Sequence, residues 1–107
     1  MDATLTRGPP LTLQEFCASL SGPEPPSLSP ALCALWRDAR GDWDGAHQRA
    51  QADEGGAGDW VHAYLHRKEG DEGNAAYWYR RARRPFPKTS LDGEWADIAE
   101  TLLREPA

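Results

Sequence analysis

Cysteine is scarce in this 107-residue sequence, which holds only Cys17 and Cys33. Two thiols are too few for a disulfide framework and lack the paired spacing of a thiolate metal site, so both are read as reduced and partly buried. Long apolar runs are also missing. No stretch of roughly 18 apolar residues is present to cross a bilayer, and the opening MDATLTRGPPLT lacks the basic-then-apolar order of a secretory signal, so the expected location is the cytoplasm. Period-two alternation, phosphate-loop or dinucleotide glycine spacing, and a Ser or Cys nucleophile placed near a His are absent as well. A bilayer span, a disulfide scaffold, a nucleotide-loop enzyme and a triad hydrolase are thereby set aside.

What the chain does contain suffices for one modest core. Its length suits a single globular domain that buries about two-thirds of the surface its unfolded form exposes. Apolar residues make up 39% and charged residues 27%, and five Trp argue against disorder. Twelve Lys and Arg against seventeen Asp and Glu give a net charge of −5, unevenly spread. Arg80, Arg81, Arg83, Arg84 and Lys88 fall within nine residues that hold no acid, which leaves seven bases against seventeen acids elsewhere. The overall field repels polyanions at long range, so any anion binding has to be local. A solvated helix end, whose Arg residues suit the negative partial charge of a helix C-terminus, is the plainer account of this run.

Pro and Gly divide the chain into helical pieces. In Leu11-Thr12-Leu13-Gln14-Glu15-Phe16 a Thr is followed three residues on by Glu, inside a Leu/Phe staple, which marks a helix near 13–20. Ser21 to Ser27 carries three Pro and reads as a linker, because Pro donates no amide hydrogen. Ser29-Pro30 opens a second helix, to about residue 40, with Leu32, Leu35, Trp36 and Ala39 on one stripe. Gly41-Asp42 ends it and caps a third, along which Trp43, Ala46, His47 and Ala50 repeat the spacing. Glu54 to Gly58 reads as a flexible connector, with Asp59 capping a helix from Trp60 to about Glu69. Gly70-Asp71 repeats the break ahead of a helix from Glu72 to Arg84, which Pro85-Phe86-Pro87 stops. Leu91, Trp95, Ile98 and Leu102 give a last helix, 91–104, an apolar face. The Trp residues are read as core.

The expected fold is therefore all-α: two stacked antiparallel helical hairpins, repeat-like, between terminal capping helices, about five helices in all. Residues 1–28 form an N-terminal capping helix and Pro-rich linker, and residues 29–107 the repeat-like domain with its C-terminal cap. A shift of 29 residues lays Gly41-Asp42-xxx-Ala46 on Gly70-Asp71-xxx-Ala75, and Leu32, Leu35 and Trp36 on Val61, Tyr64 and Leu65. The string Ala75-Ala76-Tyr77-Trp78-Tyr79-Arg80-Arg81-Ala82 resembles the second helix of the Sel-like repeat, a relative of the tetratricopeptide repeat, and Gly41 to Ala46 resembles a tetratricopeptide turn. The 29-residue spacing is shorter than the tetratricopeptide period of about 34. The middle of the chain, Leu35 to Arg84, also resembles a group of short, uncharacterised bacterial and fungal proteins. The repeat resemblance implies a scaffold that holds a protein or peptide, the first helix of each hairpin lining a concave surface.

Two constellations carry chemistry. His62, His66 and Glu69 stand at i, i+4 and i+7, within an arc of about 60° on a helix advancing 100° per residue. Two imidazoles and a carboxylate so placed can ligate zinc or iron(II), with His47 of the neighbouring hairpin as a further ligand. The glutamate of the HExxH protease motif is missing, and a His on an apolar stripe, as His47 is, more often packs and hydrogen-bonds. Trp60, Val61, Tyr64 and Leu65 occupy the other side of that helix, so His62, His66 and Glu69 are expected away from the core, in a polar groove or on a solvated helix back. Tyr77, Arg81 and Arg84 repeat the spacing on the next helix, which allows Arg81 to lie over Tyr77, with Asn74 nearby. An aromatic with two guanidiniums can grip carboxylates, or stack a base and hold a phosphate; an ion pair with an acid of the last helix is the structural alternative.

The function read from these residues is a non-catalytic interaction module for a protein or acidic peptide. It binds through His62, His66, Glu69, Tyr77, Arg81 and Arg84, with no cofactor and no membrane. The alternative is a metal-binding protein or metal-dependent enzyme that holds zinc or iron through His47, His62, His66 and Glu69. RNA or other nucleic acid on the basic-aromatic helix ranks behind both, given the acidic remainder.

Overall fold

Five of the six α-helices described start at a side chain that caps them. The computed structural model describes residues 11–104. Thr12 Oγ1 accepts the Glu15 amide and Glu15 Oε1 accepts the Thr12 amide, at 3.0 and 2.9 Å, opening α1 (Leu13–Ala18), which tightens into a 3₁₀ turn over Ser19–Ser21. Ser29 Oγ accepts the Leu32 amide at 3.2 Å, with Pro30 as the first residue of α2 (Pro30–Ala39). Asp42 caps α3 (Trp43–Ala52) and Asp71 caps α5 (Glu72–Ala82), accepting from the Gly45 and Asn74 amides at 2.9 and 3.1 Å. Between them runs α4 (Gly56–Lys68), and Ser90 Oγ accepts the Gly93 amide at 3.0 Å ahead of α6 (Leu91–Arg104). Among the described residues there are six α-helices and no strand, against about five expected, because two hairpins of two helices still leave one cap at each end. The first ten residues of the expected N-terminal segment and the last three of the chain lie outside the described residues.

The two breaks are one turn used twice. Gly41 and Gly70 adopt φ of 84° and 91°, the left-handed region where a side chain is penalised. Across each glycine an Asp amide reaches back five residues, Asp42 to the Arg37 carbonyl and Asp71 to the His66 carbonyl, both at 2.9 Å. This is a Schellman closure with the cap of the next helix built into it. The 29-residue shift that aligns the two sequences also superposes these hydrogen bonds. The Arg84 amide makes the same kind of bond to the Tyr79 carbonyl at 3.0 Å, with Arg83 at φ 60° in the glycine position. The helix therefore ends at Ala82, not at Arg84 as the sequence suggested.

Hairpins α2/α3 and α4/α5 lie side by side through α3 and α4, with α6 across α2 and α4 and α1 packed on α6. Phe16, Leu35, Val61, Leu65, Tyr79 and Ile98 are fully enclosed. Trp36, Trp43 and Trp95 spend their indole N–H groups on Ser19 Oγ, the Leu65 carbonyl and the Leu35 carbonyl, at 3.0 to 3.1 Å. The Pro-rich linker is strapped down: Glu24 pairs with Arg37 at 3.1 Å and accepts from the Cys33 thiol at 3.1 Å, and Arg40 donates to the Leu20 and Gly22 carbonyls. Burial, then Glu24, pushes the Cys33 thiol up to about 11. Cys17, expected to be partly buried, is exposed.

Helix α4 departs furthest from the sequence reading. Its first turn is built from the supposed connector, with Gly55 in the capping position in place of Asp59. Glycine lets that turn begin hard against the end of α3: a Cβ on Gly58 would lie 2.1 Å from the Asp53 carbonyl oxygen and 2.9 Å from that of Ala50. Placed between α2, α3, α5 and α6, α4 is enclosed on every side from Trp60 through His66. Its polar groups find buried partners. Tyr64 and Lys68 donate to Asp38 at 3.1 and 3.0 Å, and Arg67 donates to Glu94, which also accepts from Tyr79, at 2.8 and 2.6 Å. Among the described residues no helix is long and apolar enough to cross a membrane.

Two glycine substitutions separate close approach from mere flexibility. Gly58→Ala is expected to lower the unfolding free energy by about 1–3 kcal/mol, the range for overpacking. Gly73→Ala, whose Cβ would meet nothing within 4 Å inside α5, is expected to raise it by about 0.5–1 kcal/mol in urea unfolding.

Candidate functional site

Enclosure of α4 changes the surroundings of its two histidines. His62 and His66 are 4% and 7% exposed, so they line neither an open groove nor a solvated helix back. The reason is that α3 and α5 pack over this face of α4, with His47 of α3 and Trp78 of α5 set against the rings. His47, half-buried on the Ala46/Ala50 stripe that seats α3, meets both rings. Its ring centroid lies 4.6 Å from that of His62 and 5.3 Å from that of His66, and the His62 and His66 centroids are 4.9 Å apart. One nitrogen from each of the three rings falls within 4.8 Å of the others.

Two indoles wall the group. Trp43 stacks on His47 at 4.9 Å while its N–H bonds the Leu65 carbonyl, which pins α3 to α4 at the height of the rings. Trp78 of α5 stacks on His62 at 3.9 Å. Glu69, 39% exposed at the edge, places Oε2 2.7 Å from His66 Nδ1. In the neutral ring that bond puts the hydrogen on Nδ1 and leaves Nε2 as the lone-pair nitrogen. Desolvation, then the neighbouring His47, His66 and Arg81, pushes His62 down to about 4. Desolvation and then His66 draw His47 below its ordinary value, against the opposing pull of Glu69 and Asp44. Both rings are neutral at pH 7, the form in which an imidazole nitrogen can hold a cation. The four residues read as metal ligands are thus brought together, but Glu69 arrives as the partner of His66 and not as a fourth converging donor.

The basic-aromatic residues are arranged differently from the expected single stripe. Tyr77 is open to solvent, but the Arg81 guanidinium lies over Trp78, 5.0 Å from a ring centroid, and its Nε is 3.6 Å from Asp59 Oδ2. Arg84, beyond the helix end, folds back over Trp60 at 3.7 Å. The ion pair recorded for Arg81 is with Asp59 of α4 rather than with an acid of the last helix, where Glu94 accepts from Arg67 and Tyr79. Between the end of α3, the start of α4 and α5 opens a cleft of about 440 Å³, lined by Asp53, Glu54, Asp59, His62, Trp78 and Arg81. A second cleft of the same volume holds Asp38, already bonded to Tyr64 and Lys68.

Sequence reasoning took Trp43 and Trp78 for plain core and Asp59 for a cap, and so missed them as the walls and mouth of the site. A signal was present: Trp43 precedes His47 by four residues and Trp78 precedes Arg81 by three, the spacings at which helical side chains touch. No protein family, curated protein or solved structure matches the chain.

The depressed His62 value carries a stability consequence in chelator-treated protein. Above pH 6.5 the ring is neutral folded or unfolded and contributes no pH dependence; below it the unfolded chain takes up a proton that folded His62 refuses until about pH 4. Denaturant unfolding is expected to show stability falling across that window, on the order of 3 kcal/mol from this group, with a smaller fall in His62→Gln.

Proposed function

We propose that the domain is a non-catalytic interaction module that takes an acidic segment of a protein partner on the outer face and C-terminal end of α5. One observation carries the reading. Among the described residues the exposed large apolar side chains are Tyr77 and Phe86, 45% and 40% exposed, and they bracket Arg80, Arg81, Arg83 and Arg84. Aromatic residues interleaved with Arg are the composition that dominates binding energy at protein interfaces. Arg81 and Arg84 are held over indole rings, so less side-chain freedom is lost when their guanidiniums meet carboxylates. His62, His66 and Glu69, once expected on the same surface, take no part in it.

Charge favours an acidic peptide over a polynucleotide. Elsewhere the chain holds seven bases against seventeen acids, a field that opposes the approach of a phosphate backbone and leaves only a short positive patch. The likeness of Ala75 to Ala82 to a Sel-like helix agrees with a scaffolding role. Two free thiols, one of them exposed, suit a reducing cytoplasm.

Peptide-display selection against the full chain is expected to enrich sequences rich in Asp and Glu. A selected peptide is expected to lose about 30-fold or more in affinity on Tyr77→Ala with Arg80→Glu, with far-ultraviolet circular dichroism unchanged. Selected sequences without acidic bias, or binding indifferent to both changes, contradict the reading. Retardation of a short RNA at low salt with no peptide selected reassigns the surface to nucleic acid.

A further inference from the structure

We propose that His47, His62 and His66 form a binding site for a divalent cation of the zinc type, with Glu69 as the carboxylate that orients His66 and the acidic cleft beside His62 as the entrance. This inference is independent of the basic-aromatic surface of α5. It starts from the convergence of three nitrogens from two helices, all within 4.8 Å of one another. A tetrahedral zinc with Zn–N distances of about 2.0–2.1 Å requires neighbouring nitrogens about 3.4 Å apart. Nitrogens within 4.8 Å of one another are within about 1.4 Å of that spacing. His62 and His66 are one helical turn apart on α4, so the site needs only one further element, the α3 stripe that carries His47.

Packing alone gives a poor account of the cluster. A His used as core filler spends its N–H on a protein acceptor. Among the described residues, the only hydrogen bond made by the three rings is that between His66 and Glu69. His47 and His62 face each other edge to face at 4.6 Å, between indoles, where aliphatic or phenyl groups would fill the same space, and their unpaired nitrogens are not sealed from solvent: among the described residues Arg37 Nε is the buried side-chain nitrogen left without a partner. A cation entering by the cleft that His62 lines can therefore reach nitrogens that no protein group occupies.

The shell around the rings has the parts a metal centre uses. A carboxylate on the far nitrogen of a ligating His fixes its tautomer and orientation and raises its basicity. Glu69 stands 2.7 Å from His66 Nδ1 in that role, leaving Nε2 for the ion. Asp53, Glu54 and Asp59 line the cleft that reaches His62 and outnumber its one cation, Arg81, which pairs with Asp59, so the path inward keeps a net negative charge that favours a cation. Three imidazoles and no thiolate select borderline ions, zinc among them, over magnesium or calcium, which prefer oxygen donors. Three protein ligands beside an open cleft also leave a fourth coordination position for water or an anion. A competing set, His66, Glu69 and Asp71, shares only one of the three rings and spends Asp71 on the α5 cap.

The test uses the full-length protein, freed of metal with a chelator and titrated with zinc chloride by calorimetry and with cobalt(II) by visible absorption. The expected result is one equivalent of zinc bound with a Kd below about 1 μM, a raised Tm, and a cobalt spectrum with the intense d–d bands of four-coordinate nitrogen ligation. His47→Gln, on the half-buried helix, is expected to weaken zinc at least about 100-fold. Glu69→Gln is expected to weaken it about 10–100-fold. Circular dichroism checks that both variants keep their helices. Absence of stoichiometric binding at 100-fold excess zinc overturns the proposal. So does binding that Glu69→Gln weakens and His47→Gln leaves intact, because the ion would then sit on His66, Glu69 and Asp71.

Discussion

The structure depends on one turn, used at Gly41-Asp42 and again at Gly70-Asp71. Glycine alone enters the left-handed conformation there without penalty, and the following aspartate closes the finished helix with its amide while opening the next with its carboxylate. A turn this short leaves successive helices little choice but to run antiparallel and touch. Both hairpins inherit the same geometry, and their stacking through α3 and α4 follows from the apolar stripes that each carries.

Stacking has a price in polarity, and the fold meets it on α4. That helix has neighbours on all sides, yet it brings Tyr64 and two histidines into the interior, with Arg67 half-buried and Lys68 at the surface beside them. The buried carboxylates of Asp38 on α2 and Glu94 on α6 accept from Tyr64, Lys68 and Arg67, and so tie the outer helices to the middle one. The histidines are answered only partly, by Glu69 at the edge, and are otherwise enclosed by each other and by Trp43 and Trp78. On the outer side of α5 the balance reverses, and Tyr77, Phe86 and the neighbouring guanidinium groups stay in solvent. The two surfaces meet at Arg81 and Trp78, which border the cleft and the basic run together.

Much of the architecture was legible because it rests on local chemistry. Thr12 with Glu15, Ser29 with Pro30, and the two aspartates after glycine announce helix starts that depend on residues within one turn of themselves. The apolar stripe of residues 91–104 specified α6 from end to end. Misreadings fell where a distant neighbour decides. Gly55 to Gly58 look flexible until the end of α3 is seen pressed against Gly58, and the polar stripe of α4 looks solvated until α3 and α5 are laid over it. Arg84 was taken as helical because nothing in its own neighbourhood announces that Arg83 accepts a left-handed conformation usually left to glycine. The set of three histidines and Glu69 was visible as spacing, whereas the inward turn of the rings and the different role of Glu69 were not.

Native-state hydrogen exchange gives the most direct test of the claim that α4 is the enclosed centre of the domain. The account predicts that the amides of Val61 to Leu65 exchange only through global unfolding, with the full unfolding free energy, while those of α1 exchange through smaller openings. Amides of α4 exchanging as fast as those of α1 would contradict it, and with it the enclosure of His62 and His66.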